Sequence, residues 1–186
     1  KADMGQVSAA VKAALAKWPN VPHCLGWLGL DARGDWYMRD DRCQRSGPFA
    51  AEPRERGVVP AKGSRLLHDK LIGFIGRNYL PDEQGQWFFQ NGPQRVYVEL
   101  EHTPWVWRLQ PDGHVLAHTG VPAGDVDGCL LDAQGHLYLV TELGLGLVHT
   151  SDMVLAADRV EQGEWLPEPV DAEDLPTRWG FVRSPQ

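Results

Sequence analysis

The chain has 186 residues, 42% of them hydrophobic and 23% charged, and carries a net charge of −7. That length suits one domain, residues 1–186, with a core that needs no disulfide or metal staple. Its 18 Lys and Arg are scattered, apart from a thin cluster at Arg54, Arg56, Lys62 and Arg65, so the basic face of a nucleic-acid binder is not expected.

In chain order, residues 4–18 predict the first helix, with Val7, Val11, Leu15 and Trp18 on one stripe and Pro19 ending it. Residues 44–65, rich in Pro, Gly and Arg, read as a mobile loop insertion on the surface. Residues 66–80 predict a second helix, weakened by Gly73 and Gly76. Residues 151–162 predict a third, with Ser151 as N-cap, Asp152 at the positive end of the dipole and Gly163 as the stop.

Between the helices one pattern recurs: LGLDARGDWYM (28–38), YLPDEQGQWFF (79–89), RLQPDGHVLAH (108–118) and LLDAQGHLYLV (130–140). Each has an apolar strand end, a turn closing on Gly, a polar residue and a second strand. Asp31, Asp82 and Asp132 open three of the turns, where a carboxylate accepts a backbone N–H two residues on. Gly34, Gly85, Gly113 and Gly135 sit where a hairpin needs positive φ. The glycines lie 51, 28 and 22 residues apart. Those spacings shrink too fast for a stacked solenoid. The fold class expected is therefore α+β: an antiparallel sheet of repeated hairpins, as a meander, a strongly curved sheet or a small sandwich, with two to three packed helices.

The stretch WFFQNGPQRVYVELEHTPWVWRL (87–109) is a hairpin followed by an aromatic strand. Asn91-Gly92 signals a tight turn, but Pro93 lacks an N–H, so a wider loop over Asn91-Gly92-Pro93-Gln94 is expected. Period-two alternation sends Trp105 and Trp107 to the core beside Val96 and Val98. Arg95 and Tyr97 fall on the opposite face. Asn91, Gln94, Arg95 and Tyr97, with Arg39, form the first candidate ligand-binding surface. The plain alternative is a turn whose arginine pairs with a neighbouring acid.

A second candidate is GLGLVHTSD (144–152), where a strand runs into a helix. His149, Thr150, Ser151 and Asp152 stand at a helix N-terminus, which favours anions, although capping alone explains the residue types. The chain lacks GxSxG, GxxxxGK[ST], GxGxxG and HExxH, so no catalytic residue is assigned. His114 and His118 share a strand face but lie roughly 13 Å apart by strand rise. His102, His136 and His149 would join a site only through folding, so no metal and no cofactor are expected. Cys24, Cys43 and Cys129 are odd in number and widely spaced, which predicts reduced thiols. No apolar run approaches the ~18 residues of a membrane span and no signal pattern opens the chain, so a cytoplasmic location without membrane association is expected.

The segments FIGRNYL, QNGPQRVYV, LGLGLVHTSDM and RWGFVRSP resemble a proteobacterial family of roughly this length whose members have no assigned activity. The likeness runs from KWPNVPHCLGWLGLDARG to the C-terminus. It implies a small bacterial cytoplasmic protein and carries over no active residue. The function expected is a non-enzymatic module that binds a small molecule or a protein, with a homodimer through strand edges as a further possibility. The alternative is a small hydrolase- or transferase-type enzyme with its anion site at His149–Asp152.

Overall fold

A computed structural model describes residues 9–17, 20–51 and 55–186. They fall into two compact units: one comprises the described residues up to 31, those within 35–101 and residues 181–186, the other mainly residues 102–180. Each is built around its own six-stranded sheet.

The first unit begins with helix α1 (Ala9–Lys17); the rest of the helix predicted over 4–18 lies outside the described residues. Then follow β1 (Cys24–Leu30), β2 (Trp36–Met38), α2 (Asp41–Ser46), β3 (Ser64–Arg65), α3 (Asp69–Arg77), β4 (Tyr79–Pro81), β5 (Trp87–Asn91) and β6 (Gln94–Leu100). The sheet order is β3-β2-β1-β6-β5-β4, antiparallel except where β1 meets β6. Helix α3 is shorter than the 66–80 expected. His68 caps it by accepting the Leu71 N–H on Nδ1, and Tyr79–Pro81 leave it for the sheet because the Asp82 turn needs a strand on each side.

The second unit contains β7 (Trp105–Leu109), β8 (Val115–Ala117), β9 (Val126–Leu131), β10 (Leu137–Thr141), β11 (Gly144–Val148), α4 (Met153–Glu161), β12 (Glu168–Pro169) and α5 (Leu175–Trp179). Its sheet order is β12-β9-β10-β11-β7-β8, with β7 parallel to β11 and β12 parallel to β9.

All four predicted hairpins form. Gly34, Gly85, Gly113 and Gly135 have φ between +80° and +93°, a region open to glycine because it has no Cβ. The carboxylates act as expected: Asp82 Oδ1 accepts the amides of Gln84 and Gln86, and Asp132 Oδ1 those of Gln134 and His136. The α+β class with hairpins is borne out, but the strands form two mixed sheets. A hairpin, a three-stranded meander and one added two-residue edge strand (β3 or β12) make up each, and the last meander strand returns parallel to the first hairpin strand.

The two sheets repeat one another in register. Leu28 pairs with Met38 and Val98, while Trp107 pairs with Ala117 and Val148. Tyr79 pairs with Phe89 and Phe88 with Tyr97, while Cys129 pairs with Leu139 and Tyr138 with Leu147. Adding 79 to a β1 or β2 number, or 50 to a β4, β5 or β6 number, gives the counterpart for every antiparallel pair of β1–β2, β4–β5 and β5–β6 and for Leu28–Val98, while the irregular start of β1 at Cys24 breaks the rule. The repeat unit is thus a hairpin followed by a three-stranded meander, and the first copy carries a longer connection between them.

Two packing expectations are corrected. Trp105 and Trp107 are buried, at 3% and 0% exposure, but not with Val96 and Val98, because β7 pairs with β11 and β8 and belongs to the other sheet. Both faces of β7 are covered, and the indole N–H groups donate to the carbonyls of Leu143 and Leu139 at 3.0 Å. Gly146 makes this possible, since a Cβ there would stand 2.4 Å from the Trp107 ring. The insertion over 44–65 is not a bare surface loop either. Residues 52–54 lie outside the described set, but Phe49 is 2% exposed and packs against Gly29, where a Cβ would stand 2.4 Å from its ring.

Candidate functional site

The β5–β6 turn is tighter than expected. Asn91 pairs with Gln94, so Gly92 and Pro93 alone form the loop. Gly92 has φ +56°, and proline's fixed φ suits the second position of a type II′ turn. The N–H that closes such a turn belongs to Gln94, so the amide missing from Pro93 is not needed. Gln90, buried beneath, donates its side-chain amide to the carbonyls of Gly92 and Gln94. No sequence pattern singled out Gln90.

Of the first candidate set, Asn91, Gln94, Arg95 and Tyr97 come together on this hairpin. Asn91 is exposed. Gln94 donates to the Pro22 carbonyl at 3.1 Å and so ties down the lead into β1. The Arg95 guanidinium lies 4.4 Å from the Phe88 ring centre, and its Nη1 is 3.4 Å from the Tyr97 hydroxyl. Tyr97 is buried and donates in turn to Asp82 Oδ2 at 3.1 Å. Burial acts against the charge of Asp82, but bonds from Gln86, Tyr97 and Gln84 outweigh it and hold the carboxyl below its ordinary range. Arg95 also borders an open depression with Leu80, Pro81, Asp82 and Phe88.

Arg39 does not join that surface, which corrects its inclusion. It is 2% exposed, and its Nε, Nη1 and Nη2 donate to the carbonyls of Ala61, Gly26 and Gly47 at 2.8–3.0 Å. A guanidinium with its fork committed in three directions fastens the insertion to β1 and offers no donor edge to a ligand.

The residues of the second candidate have local duties. His149 is buried, and its Nδ1 accepts the Ser151 N–H at 3.0 Å, so the histidine caps the turn and not Ser151. Thr150 and Ser151 are exposed. Asp152 makes no side-chain cap to α4. Its Oδ2 instead accepts Arg108 Nε at 2.8 Å and the Leu109 N–H at 3.0 Å. Burial works against this carboxylate, yet those bonds and the Arg108 charge keep its pKa low. The buried charge closest to this helix start is therefore an anion, which opposes a bound anion there.

Histidines and cysteines are sorted by burial. His118 accepts the Val106 N–H on Nδ1, and burial lowers its pKa to about 3. His114 is exposed beside Asp112. Cys24, Cys43 and Cys129 are free thiols, as predicted. Burial raises the pKa of Cys24, and that of Cys129 to about 11, so neither is an activated thiolate. Among the described residues no helix is long and apolar enough to cross a membrane.

A recess lies in the second unit, beside β9. It has a volume of about 480 Å³ and is lined by Gly128, Trp165, Leu166, Trp179, Asp127 and Glu168 among others. Leu166 is 76% exposed, and the Asp127 and Glu168 side chains reach solvent. Arg159 covers the Trp165 ring at 4.5 Å and bonds Glu164, while Arg178 lies 4.5 Å from the Trp179 ring centre. Sequence reasoning missed this cleft because its residues are spread from 126 to 179, and no local pattern links them.

The molecule is thus an α+β protein of doubled hairpin-and-meander sheets. A family model described as a protein of unknown function (DUF2946) matches residues 7–186, and the chain belongs to that family. Among solved structures, a DUF1285 family protein from Silicibacter pomeroyi DSS-3 is 10% identical, with a TM-score of 0.48 over 82% of this chain and 85% of that one. A DUF1285 family protein from Shewanella baltica OS155 is 18% identical, with a TM-score of 0.44 over 71% and 91%. None of the curated proteins matches this chain.

Proposed function

We propose that this protein is a binding module whose ligand is a small aromatic or aliphatic amine held in the cleft beside β9. The observation that carries the reading is the cleft itself. Its volume of about 480 Å³ falls within the ~300–1,000 Å³ of small-molecule sites. Trp179 and Leu166 supply apolar contact. Of the three acids on its lining, Glu164 bonds Arg159, whereas Asp127 and Glu168 are exposed; another cation there, Arg178, lies over the Trp179 ring. An ammonium group meeting those two carboxylates, with its hydrophobic body against the tryptophan, satisfies both kinds of surface.

A thermal-shift screen with a library of primary and aromatic amines tests this. The expected outcome is a raised Tm for a subset of amines, lost in Trp179→Ala and reduced in the Asp127→Asn, Glu168→Gln double variant. A subset of carboxylates or phosphates that stabilises the protein in place of amines would overturn it.

A second reading has one favouring observation. The Arg95 guanidinium borders its depression and can pair with an acidic group on a small molecule or protein, opposed by Asp82 and Glu83 on the same lining. Loss of an anion-induced Tm shift in Arg95→Ala would support it. The enzyme alternative at His149–Asp152 has weaker support, since Asp152 and His149 are engaged in holding β7 and the turn. A homodimer through strand edges is also less favoured, because Pro81 removes a donor from β4.

A further inference from the structure

The imidazole of His136 rests on a carboxylate that solvent barely reaches. Its Nδ1 lies 2.8 Å from Asp132 Oδ2, and the side-chain exposures are 40% for His136 and 1% for Asp132. The same oxygen accepts the Tyr138 hydroxyl at 2.9 Å. A carboxylate that serves as acceptor to this many donors takes the Nδ1 proton, which leaves Nε2 as the nitrogen that can face a metal ion. This is the arrangement in which histidines ligate metals, with the far nitrogen oriented by an outer carboxylate.

A second imidazole stands beside it. The ring centres of His102 and His136 are 5.0 Å apart, with an interplanar angle of 65°. Two imidazoles that hold one ion at ~2.0–2.1 Å in tetrahedral positions have ring centres roughly 5 Å apart. The repeated sheet supplies a control. There the equivalent residue is Gln86, whose amide and side chain bond Asp82 at 2.9 and 3.2 Å. The turn closes on a glutamine as well as on a histidine, so the fold does not by itself require an imidazole at position 136.

We propose that His102 and His136 form a two-histidine site for a divalent transition-metal ion, with Asp132 orienting His136 and water completing the coordination. Among the described residues no group of three or more metal-ligating side chains gathers, so the protein supplies two ligands. Imidazole pairs suit Cu²⁺, Ni²⁺ and Zn²⁺, and the expected order places Cu²⁺ above Ni²⁺ and Zn²⁺.

The test is a Ni²⁺ titration of the full chain followed by histidine ring NMR signals, with affinity measured in parallel. Paramagnetic broadening is expected first at His102 and His136. His136→Gln copies the other sheet and keeps the Asp132 bond, so it should fold normally and lose about tenfold or more in Ni²⁺ affinity. His102→Gln should lose a similar factor, and the exposed His114→Gln should lose none. Broadening centred on another histidine, or equal affinity in the His102, His136 double variant, would overturn the site. So would a loss confined to one of the two single variants, because a shared ion needs both rings.

Discussion

The two sheets share strand registers yet differ at their edges, and the difference separates what the fold needs from what it varies. In the second sheet β9 is covered by β12: the Val170 N–H donates to the Leu131 carbonyl at 3.0 Å. In the first sheet β4 is the edge, and the counterpart of Leu131 is Pro81. One sheet completes its edge with an added strand, and the other ends it with a residue that has no N–H to offer. The connection between the hairpins differs too, since only the first copy carries α2, Phe49 and α3. What both copies keep is an acidic turn with a tyrosine hydroxyl on it. Tyr138 reaches Asp132 from its own strand, whereas Tyr97 reaches Asp82 from the strand paired with Phe88. The hydroxyl is retained although the residue that supplies it changes position.

The sharpest way to break the comparison is in the part the second sheet lacks. Phe49→Ala empties a fully buried ring and should cost about 3–5 kcal/mol in chemical denaturation. A loss under about 1 kcal/mol would mean the insertion is dispensable and the two copies are alike after all.

The shared turns come next. Asp132→Asn replaces a carboxylate that is 1% exposed and should cost about 2–3 kcal/mol. Asp82→Asn should cost less, because Asp82 is only half-buried. Burial opposes ionisation of both, but hydrogen bonds lower both pKa values in the folded state. Their contribution is therefore present above the unfolded value of about 3.9 and is lost as pH falls through the lower folded value. The wild type should lose stability steeply below about pH 4, and Asp132→Asn should flatten that slope more than Asp82→Asn does. Equal slopes in all three proteins would remove the acidic turns from the account.

The smallest effect concerns the edges. Leu131→Pro copies Pro81 into the second sheet and should cost about 1–2 kcal/mol, with faster hydrogen exchange at the Val170 amide. Pro81→Leu should change stability by less than about 0.5 kcal/mol, since no strand waits on that edge among the described residues. A large loss there would show that the proline, and not the open edge, stabilises β4.

Much of this fold was legible locally. Gly at a fixed offset announced all four hairpins, three of them opened by Asp, and helices α3 and α4 were placed to within a few residues. The β5–β6 hairpin was placed correctly but its turn was read too wide. The missing amide of Pro93 was assigned to the closing bond, which Gln94 makes. Trp105 and Trp107 were recognised as buried, but alternation reports a face and not which sheet the strand joins. The repeat itself escaped because glycine spacing mixes two different intervals, 79 between first hairpins and 50 between second ones.

What the sequence determined alone is what neighbouring residues decide between themselves: the glycine-closed hairpin turns, side-chain period, and the mismatch of three distant cysteines with any disulfide. Tertiary structure decided everything that depends on contacts between distant residues. It turned Arg39 from a surface candidate into a buried clamp, because three carbonyls from separate segments converge on it. It set His102 beside His136 and gathered residues from 126 to 179 into one cleft. Such sites arise from strand order, which parallel pairings between remote segments fix, and no period or spacing along the chain records them.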